Sequence, residues 1–225
     1  VVAVSLKKKK PCILVDDSRD PACARVLDQL AQRAGINLIR LATNQGKGGA
    51  VMTGLREASR LGFSHALQVD ADGQHDLQDV QLFIEQSRLH PDAVICGYPQ
   101  YDASVPKGRL YARYLTHVMV WINTLSLQIR DSMCGFRVYP LPTTLALIDS
   151  AKIGKRMDFD SDILVRLAWR NQAMQWLPTR VHYPLDGVSH FRLFHDNVLI
   201  SSMHTRLFFG MLLRAPVILW RRWRA

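Results

Sequence analysis

The sequence predicts an α/β fold in which helices cover both faces of a mostly parallel, Rossmann-like sheet. Short apolar runs alternate with segments of helical spacing from residue 11 onward, and the helical segments stop at glycine or proline. Strands that alternate with helices at this spacing indicate crossover connections between parallel strands. The 225 residues are enough for one such domain with a sizeable core.

The elements follow one another in a regular order. The run at 11–16 is apolar until its final acids, which is typical of a buried parallel strand. The helical segment after it stops at Gly35, and the next one stops at Gly62. The predicted strands are 11–16, 36–41, 65–69, 93–97, 135–140 and 175–183. The predicted helices are 21–34, 49–61, 77–89, 109–127, 159–169 and a final one from 196.

Composition and charge exclude several classes of protein. With 48% hydrophobic and 21% charged residues, the chain is neither disordered, nor collagen-like, nor a disulfide-stapled miniprotein. The net charge of +10 is terminal, because nine of the 29 basic residues lie in 7–10 and in the last 29 positions. The other 20 nearly balance the 19 acids. This distribution favours an anionic membrane surface over a basic groove, so we expect no nucleic-acid partner.

The four cysteines form no CxxC pair and lie in apolar or strand-like surroundings. We therefore expect buried, reduced thiols, as is typical of a cytosolic protein. The eight histidines show no metal-ligand spacing, so no zinc site is predicted.

The last residues predict an amphipathic, basic helical tail at 196–225, attached to a domain at 1–195. One helical face carries Leu199, Met203, Leu207 and Met211. The end carries Trp220, Arg221, Arg222, Trp223 and Arg224, with no acid after Asp196, which is an interfacial anchor pattern. The alternative is an ordinary helix packed on the domain. No signal peptide or membrane span is predicted, so we expect a cytoplasmic protein, peripheral at the cytoplasmic face of a membrane.

An acidic pair follows the third predicted strand. Asp70 and Asp72 are separated by one residue, and Gln74 lies in the same turn. Ligands of open α/β sheets bind beyond the carboxyl ends of the strands. Two carboxylates and an amide oxygen there suit a divalent cation that can hold a diphosphate. The alternative is a solvated acidic turn that bends at Gly73.

Other strand and helix ends carry further candidates. Asp16 and Asp17 can accept hydrogen bonds from a nucleobase or ribose, or can simply cap a helix. Lys47 lies in the glycine-rich segment 44–50, where backbone amides at a helix start can approach a phosphate. That segment is not a Walker A loop, and the alternative is a connector needed only for close packing.

The later candidates are an arginine and a group of acids. Arg137, in a strand-like stretch, is a candidate anion clamp or an edge charge. Asp158, Asp160 and Asp162 surround the start of an apolar helix. One of them can act as a general base, or all can serve as helix-capping acids.

Together these segments resemble glycosyltransferase family 2, whose members have the GT-A fold, and most closely its polyprenyl- or dolichyl-phosphate mannose or glucose synthase branch. The segments that carry the resemblance are 13–17 (ILVDD), 44–51 (NQGKGGAV), 67–75 (LQVDADGQH), 131–137 (DSMCGFR) and, more loosely, 158–163 (DFDSDI) and 186–190 (DGVSH).

The resemblance implies metal-dependent, inverting transfer of a hexose from a UDP- or GDP-sugar to a lipid-linked acceptor, either a polyprenyl phosphate or a glycolipid. The implied ligands of Mg²⁺ or Mn²⁺ are Asp70, Asp72 and Gln74. The implied nucleotide-sugar contacts are Asp16, Asp17, Lys47 and Asp70. The implied catalytic residues are Arg137, which would face a phosphate, and Asp160 or Asp162 as the acceptor-side acid.

One departure from the family pattern concerns the beginning of the chain. Only ten residues precede Pro11, so we expect the family's first strand to be short or missing. A domain without that strand could be an inactive, membrane-associated partner subunit, which is one alternative to a transferase. The other alternative is a sugar nucleotidyltransferase, which would have a similar sheet and similar metal-binding acids.

Overall fold

The computed structural model describes residues 2–4, 11–18, 20–101, 107–181 and 192–224. Within these ranges it has seven strands and seven helices. In order they are β1 (Val2–Val4), β2 (Cys12–Asp16), α1 (Pro21–Ala31), β3 (Ile36–Arg40), α2 (Gly46–Arg60), β4 (His65–Val69), α3 (Asp79–Leu89), β5 (Val94–Tyr101), α4 (Lys107–Thr124), β6 (Arg137–Pro140), α5 (Leu141–Ser150), α6 (Phe159–Trp169), β7 (Met174–Val181) and α7 (Leu193–Trp223).

The strands form one mixed sheet in the order β3-β2-β1-β4-β6-β5-β7. Strands β2 and β3 are parallel, as are β5 and β7, whereas β1 and β6 are antiparallel to their neighbours. Five of the seven described strands therefore point the same way. The predicted α/β class is confirmed, with two reversed strands inserted among the parallel ones.

Two apolar cores cover the two faces of the sheet. Along β4, Ala66 packs into the larger core and Leu67 into the smaller one, because successive side chains point to opposite faces. The larger core is closed by buried residues of α2, α5, α6 and α7, and the smaller core by α3. Helices on both faces leave the carboxyl ends of β2 and β4 as the open edge.

The place between β2 and β4 is taken by β1. This strand has three residues and pairs antiparallel with both neighbours, with Val2 opposite Leu14 on one side and Val69 on the other. The expectation that the family's first strand is short or missing stays a prediction. The described strand is short, and its direction is opposite to that of β2 and β4.

Helix α5 was not predicted. Its first turn contains Pro142, and Pro140 is its N-cap, so the sequence there looks like a break. Proline is tolerated in the first turn because its missing N–H has no partner there in any helix. Helix α2 begins at Gly46, three residues earlier than predicted, because Asp17 accepts the first amides of the helix.

Helix α7 packs along the domain. Met203, Leu207 and Met211 are buried, and the helix contacts α4 and α6. The predicted apolar face is therefore covered by the protein, whereas Phe209, Leu213 and other large side chains of α7 stay exposed. No helix in the described part of the chain is long and apolar enough to cross a membrane.

The cysteine prediction is correct only in part. Cys96 and Cys134 are buried, and burial raises the pKa of both thiols to about 12. Cys12 is half-buried, and Cys23 is exposed, because it lies on α1, a helix without buried residues. The expectation that all four thiols are buried is wrong for Cys23.

Candidate active site

The candidate site lies at the carboxyl ends of the central strands and is centred on one lysine between two aspartates. Asp70 directly follows β4, Lys47 is the second residue of α2, and Asp160 is the second residue of α6. Lys47 Nζ is 2.6 Å from Oδ2 of Asp70 and 2.6 Å from Oδ2 of Asp160. The structure therefore joins three of the predicted residues in one ion-pair cluster.

A glutamine holds the other oxygens of the same two carboxylates. Gln68 Nε2 donates to Oδ1 of Asp70 at 3.3 Å and to Oδ1 of Asp160 at 3.4 Å. Gln68 is buried in β4 and was missed by the sequence analysis. The available signal was a polar residue inside an apolar strand, since a buried amide needs hydrogen-bond partners. The two aspartates are thus held from both sides.

Arg137 lies beneath the cluster and does not face the cleft. Its side chain is fully buried, with Nη1 donating to the Asp160 carbonyl and Nη2 to the Ser132 carbonyl, each at 2.9 Å. Nη1 also donates to the Tyr139 hydroxyl at 3.3 Å, and that hydroxyl donates to Gln68 Oε1 at 3.2 Å. All four residues of β6 are buried, so its arginine points into the protein. Nη1 also lies 3.5 Å from Asp160 Oδ1, so the charge of Arg137 faces the cluster from inside the protein. The expectation that Arg137 points into the cleft as an anion clamp is therefore corrected.

The electrostatics of the cluster favour the charged forms of Lys47 and Asp70. Burial disfavours the charged ammonium, but the attraction of Asp160 and Asp70 outweighs it, so the pKa of Lys47 is raised. Burial likewise disfavours the Asp70 carboxylate, but Lys47 outweighs it and the pKa of Asp70 is lowered.

Three acids were predicted around the start of α6, and the structure separates their roles. Asp162 is fully buried, where Oδ2 accepts from the Gly154 amide at 2.9 Å. Asp158 Oδ1 accepts from the Arg156 amide at 3.1 Å. These two carboxylates hold the loop before the helix. Among the three, Asp160 is the one that contacts Lys47.

Asp16 and Asp17 bind the protein's own groups. Asp17 accepts from the backbone amides of Gln45 and Gly46, each at 2.7 Å, and so fixes the start of α2. Asp16 is buried and accepts from the Ser18 amide at 3.0 Å and from Arg40 Nε at 3.3 Å. In the described state, Asp17 therefore positions the helix that carries Lys47.

The predicted metal ligands lie on the turn after β4. Asp72 is exposed and accepts the Gln74 amide through Oδ1 at 3.0 Å, while Gln74 is half-buried. The described residues contain no group of three or more histidine, cysteine or acidic side chains that could hold a metal. Two carboxylates and an amide oxygen nevertheless fit a hard cation that completes its shell with substrate phosphates and water. The donor set fits, with Lys47 already bound to Asp70.

The loop before β6 approaches Asp70 closely. A Cβ at Gly135 would overlap the Asp70 carboxylate, so this position accepts only glycine without displacing the acid. Asp131 holds the same loop by accepting from the amides of Met133 at 2.8 Å and Cys134 at 2.7 Å. The segment 131–137 thus shapes one wall of the site. The segment 186–190 of the sequence analysis lies outside the described residues.

Comparisons with known proteins match this architecture. The family model described as glycosyl transferase family 2 matches residues 3–153. A dolichyl-phosphate beta-glucosyltransferase of Dictyostelium discoideum is 28% identical over 172 residues, which cover 71% of this chain and 51% of that protein. An undecaprenyl-phosphate mannosyltransferase of Micrococcus luteus is 25% identical over 167 residues, which cover 69% of this chain and 65% of that protein. The chain spans about half the length of the dolichyl-phosphate relatives that it matches.

A solved structure shares the fold. Glucosyl-3-phosphoglycerate synthase from Mycobacterium tuberculosis, in complex with Mn²⁺ and uridine-diphosphate-glucose, superposes with a TM-score of 0.57 at 14% identity. The match covers 90% of this chain and 67% of that one. This likeness establishes the fold of the described domain.

Proposed function

The chain belongs to glycosyl transferase family 2, and on that premise we propose that its cleft transfers a hexosyl group from a nucleoside diphosphate sugar to a lipid-linked phosphate. The observation that carries the proposal is the pair Asp70 and Asp160, held by one ammonium at the carboxyl end of β4. An open α/β sheet binds its ligands at this edge. Relatives named for dolichyl phosphate and undecaprenyl phosphate support the acceptor class.

On the donor side, Asp70, Asp72 and Gln74 would hold Mg²⁺ or Mn²⁺. Such a cation, when bound, neutralises the diphosphate as a leaving group. The chain adds a second source of positive charge, because Asp17 fixes the start of α2 and Lys47 lies in its first turn. An ammonium attracts phosphate oxygens as a point charge. We place the diphosphate of a UDP- or GDP-sugar between these two features.

On the acceptor side, we assign the acid to Asp160 rather than Asp162. Asp160 contacts Lys47, whereas the Asp162 carboxylate accepts the Gly154 amide in the loop before α6. A lipid phosphate is already anionic, so its oxygen attacks the anomeric carbon without a base as the bond to the diphosphate breaks. A hydroxyl acceptor would give its proton to Asp160. Direct displacement of this kind inverts the anomeric centre.

Beneath the site, Gln68, Tyr139 and Arg137 act as positioning residues. They form one hydrogen-bonded chain that ends on Oδ1 of both aspartates and on the Asp160 backbone. Buried side chains that hydrogen-bond to one another restrict each other's movement, even though Arg137 Nε has no partner among the described residues. Its role is to fix the separation of the two carboxylates.

We also propose that α7 rests on the anionic cytoplasmic surface of a membrane. Phe209, Leu213, Trp220 and Trp223 are exposed, and their spacing places them on one stripe, opposite the buried face of the helix. Arg224 lies at the same end, and no acid follows Asp196 in the sequence. Exposed aromatic and arginine side chains on one helix suit the headgroup region of anionic lipid.

Vesicle sedimentation tests the membrane proposal. The wild-type chain should bind vesicles that contain phosphatidylserine at least tenfold more tightly than neutral vesicles, and Trp220→Ser with Trp223→Ser should remove most of that binding. Equal binding of both proteins to both vesicles would contradict it.

Calorimetry with UDP- and GDP-sugars tests the donor proposal. We expect one donor class to bind at least tenfold more tightly with Mn²⁺ than without it, and this gain to disappear in Asp72→Asn. The control is Asp92→Asn, which alters an exposed acid in a loop on the far side of α3 from the turn and should keep the gain. A folded chain that binds no donor would contradict the proposal and favour an inactive partner subunit.

A further inference from the structure

We propose that Lys47 competes with the divalent cation for Asp70, so that the metal binds tightly only together with the diphosphate of the donor. This inference deepens the proposed function and rests on it for the identity of the diphosphate. It assigns Lys47 a role as the resident cation of the empty cleft. Lys47 can have this role because it lies between Asp70 on the donor side and Asp160 on the acceptor side.

The first step is the position of the ammonium. Lys47 Nζ is 2.6 Å from one oxygen of Asp70 and equally far from one oxygen of Asp160. The three side chains are at most one-fifth exposed, so water screens them poorly. A divalent cation on Asp70 would therefore lie within a few ångströms of a like charge. Like charges at that separation in a poorly screened site repel strongly.

The second step is the charge balance of the cleft. The formal charges of the cleft include those of Lys47, Asp70 and Asp160, of the exposed ligand Asp72, and of Arg137, whose Nη1 lies 3.5 Å from Asp160 Oδ1, and they sum to one negative charge. A divalent cation alone would turn this into one positive charge in a poorly screened cleft. A nucleoside diphosphate sugar brings two negative charges on its diphosphate, so cation and donor together leave the charge of the cleft unchanged. The two ligands therefore favour each other's binding.

The third step is where the ammonium goes. Lys47 lies in the first turn of α2, where the helix dipole disfavours a cation, so its present position depends on the two aspartates. Its unbranched stem can turn toward a diphosphate while Asp17 keeps the helix start in place. Gln68 still donates to both carboxylates when the ammonium leaves. The exchange frees an oxygen of Asp70 for the metal.

Binding of Mn²⁺ without nucleotide, measured by the electron paramagnetic resonance signal of free Mn²⁺, tests the inference. Lys47→Met removes the charge and keeps the length of the side chain, so Mn²⁺ should bind at least tenfold more tightly than to the wild type. Lys47→Arg keeps the charge and should retain the weak affinity. Lys152→Met removes one charge from an exposed position and should match the wild type. Equal or weaker binding by Lys47→Met would overturn the inference.

A second measurement uses the wild-type chain, in case the neutral variant does not fold. An ammonium held between two carboxylates gives a slowly exchanging ¹⁵N resonance, which its loss in Lys47→Arg would assign. Adding Mg²⁺ and UDP or GDP together should shift or abolish this resonance, whereas Mg²⁺ alone at the same concentration should leave it largely unchanged. An identical response to Mg²⁺ with and without nucleotide would overturn the inference.

The same measurements separate this inference from the proposed function. Tighter Mn²⁺ binding by Lys47→Met, with no sugar transferred by any variant, would support the competition and contradict the transferase. Equal Mn²⁺ affinity in all variants, with sugar transfer intact in the wild type, would contradict the competition and support the transferase.

Discussion

Lys47 Nζ lies 2.6 Å from Oδ2 of Asp160, although the two residues belong to helices that are far apart in the sequence. The contact joins the glycine-rich segment that opens α2 to the acidic segment that opens α6. Because Lys47 also binds Asp70, it links the donor side of the proposed site to the acceptor side. A substitution on the acceptor side should therefore also alter binding on the donor side, and the reverse.

The first prediction separates two acids of the same helix. Asp160→Asn should lower sugar transfer by about 10²-fold, because it removes a partner of Lys47 and misplaces the reacting groups. Asp162→Asn should instead lower the free energy of unfolding by about 1–3 kcal/mol, because Asp162 is buried and accepts the Gly154 amide. Transfer assays and urea unfolding measure the two effects. A stable Asp162→Asn protein that has lost as much transfer as Asp160→Asn would contradict the assignment.

The second prediction concerns two glycines. Gly135→Ala should lower Mn²⁺ affinity and transfer by about 10²-fold, because its Cβ would displace the Asp70 carboxylate. Gly54→Ala is the matched control. Gly54 lies inside α2, and a Cβ there would make only an ordinary contact with Val15 Cγ2 at 3.4 Å. It should stabilise the protein by about 0.5–1 kcal/mol and leave transfer unchanged. Wild-type activity in Gly135→Ala would show that sugar transfer does not require the Asp70 carboxylate in its present position.

The third prediction concerns the glutamine under the site. Gln68→Leu should lower the free energy of unfolding by about 1–3 kcal/mol, because it leaves the buried Tyr139 hydroxyl without its acceptor. It should also lower transfer, because Asp70 and Asp160 lose their shared donor. Gln175→Leu, at an exposed position of β7, should stay within about 0.5 kcal/mol of wild type. Equal stability of the two variants would argue against the network.

The fourth prediction concerns pH. His204 of α7 is buried against Asn123 of α4, with Nδ1 3.1 Å from Asn123 Nδ2, and burial lowers the pKa of His204 to about 4 from 6.5. Above about pH 6.5 the ring is neutral in both states. As the pH falls from there toward 4, the unfolded chain binds a proton that the folded chain does not, so stability decreases by up to about 3 kcal/mol.

Urea unfolding between pH 7.5 and 4.5 checks this dependence. His204→Gln should flatten it, whereas His90→Gln, at an exposed helix end, should keep the wild-type slope. An unchanged slope in His204→Gln would show that another group is responsible.

Much of the site could be predicted because the sequence pattern shows where strands end and helices begin. Asp70, Lys47 and Asp160 each stand at the end of a periodic segment, and open α/β sheets gather such ends at one edge. Their mutual contact could not be predicted, because it depends on how α6 packs beside α2. Gln68 was missed for a related reason: a polar residue in a strand buried on both faces shows no alternation that would indicate its direction.

The errors also have physical causes. Arg137 was expected in the cleft, but β6 is buried on both faces, so among the described residues its partners are internal carbonyls, a tyrosine hydroxyl and the Asp160 carboxylate. Helix α5 was missed because prolines at its start look like a break in the chain. In both cases tertiary packing decides what a local pattern leaves open.

The most direct test of the account is transfer of labelled sugar to lipid. The wild-type chain would be incubated with Mn²⁺, labelled UDP-glucose or GDP-mannose, and a polyprenyl phosphate in anionic vesicles. We predict a lipid-linked labelled sugar formed in a one-to-one ratio with released nucleoside diphosphate, present in Asp92→Asn and absent in Asp72→Asn. A folded chain that binds the donor and the vesicles but forms no lipid-linked sugar from either donor would contradict the central claim.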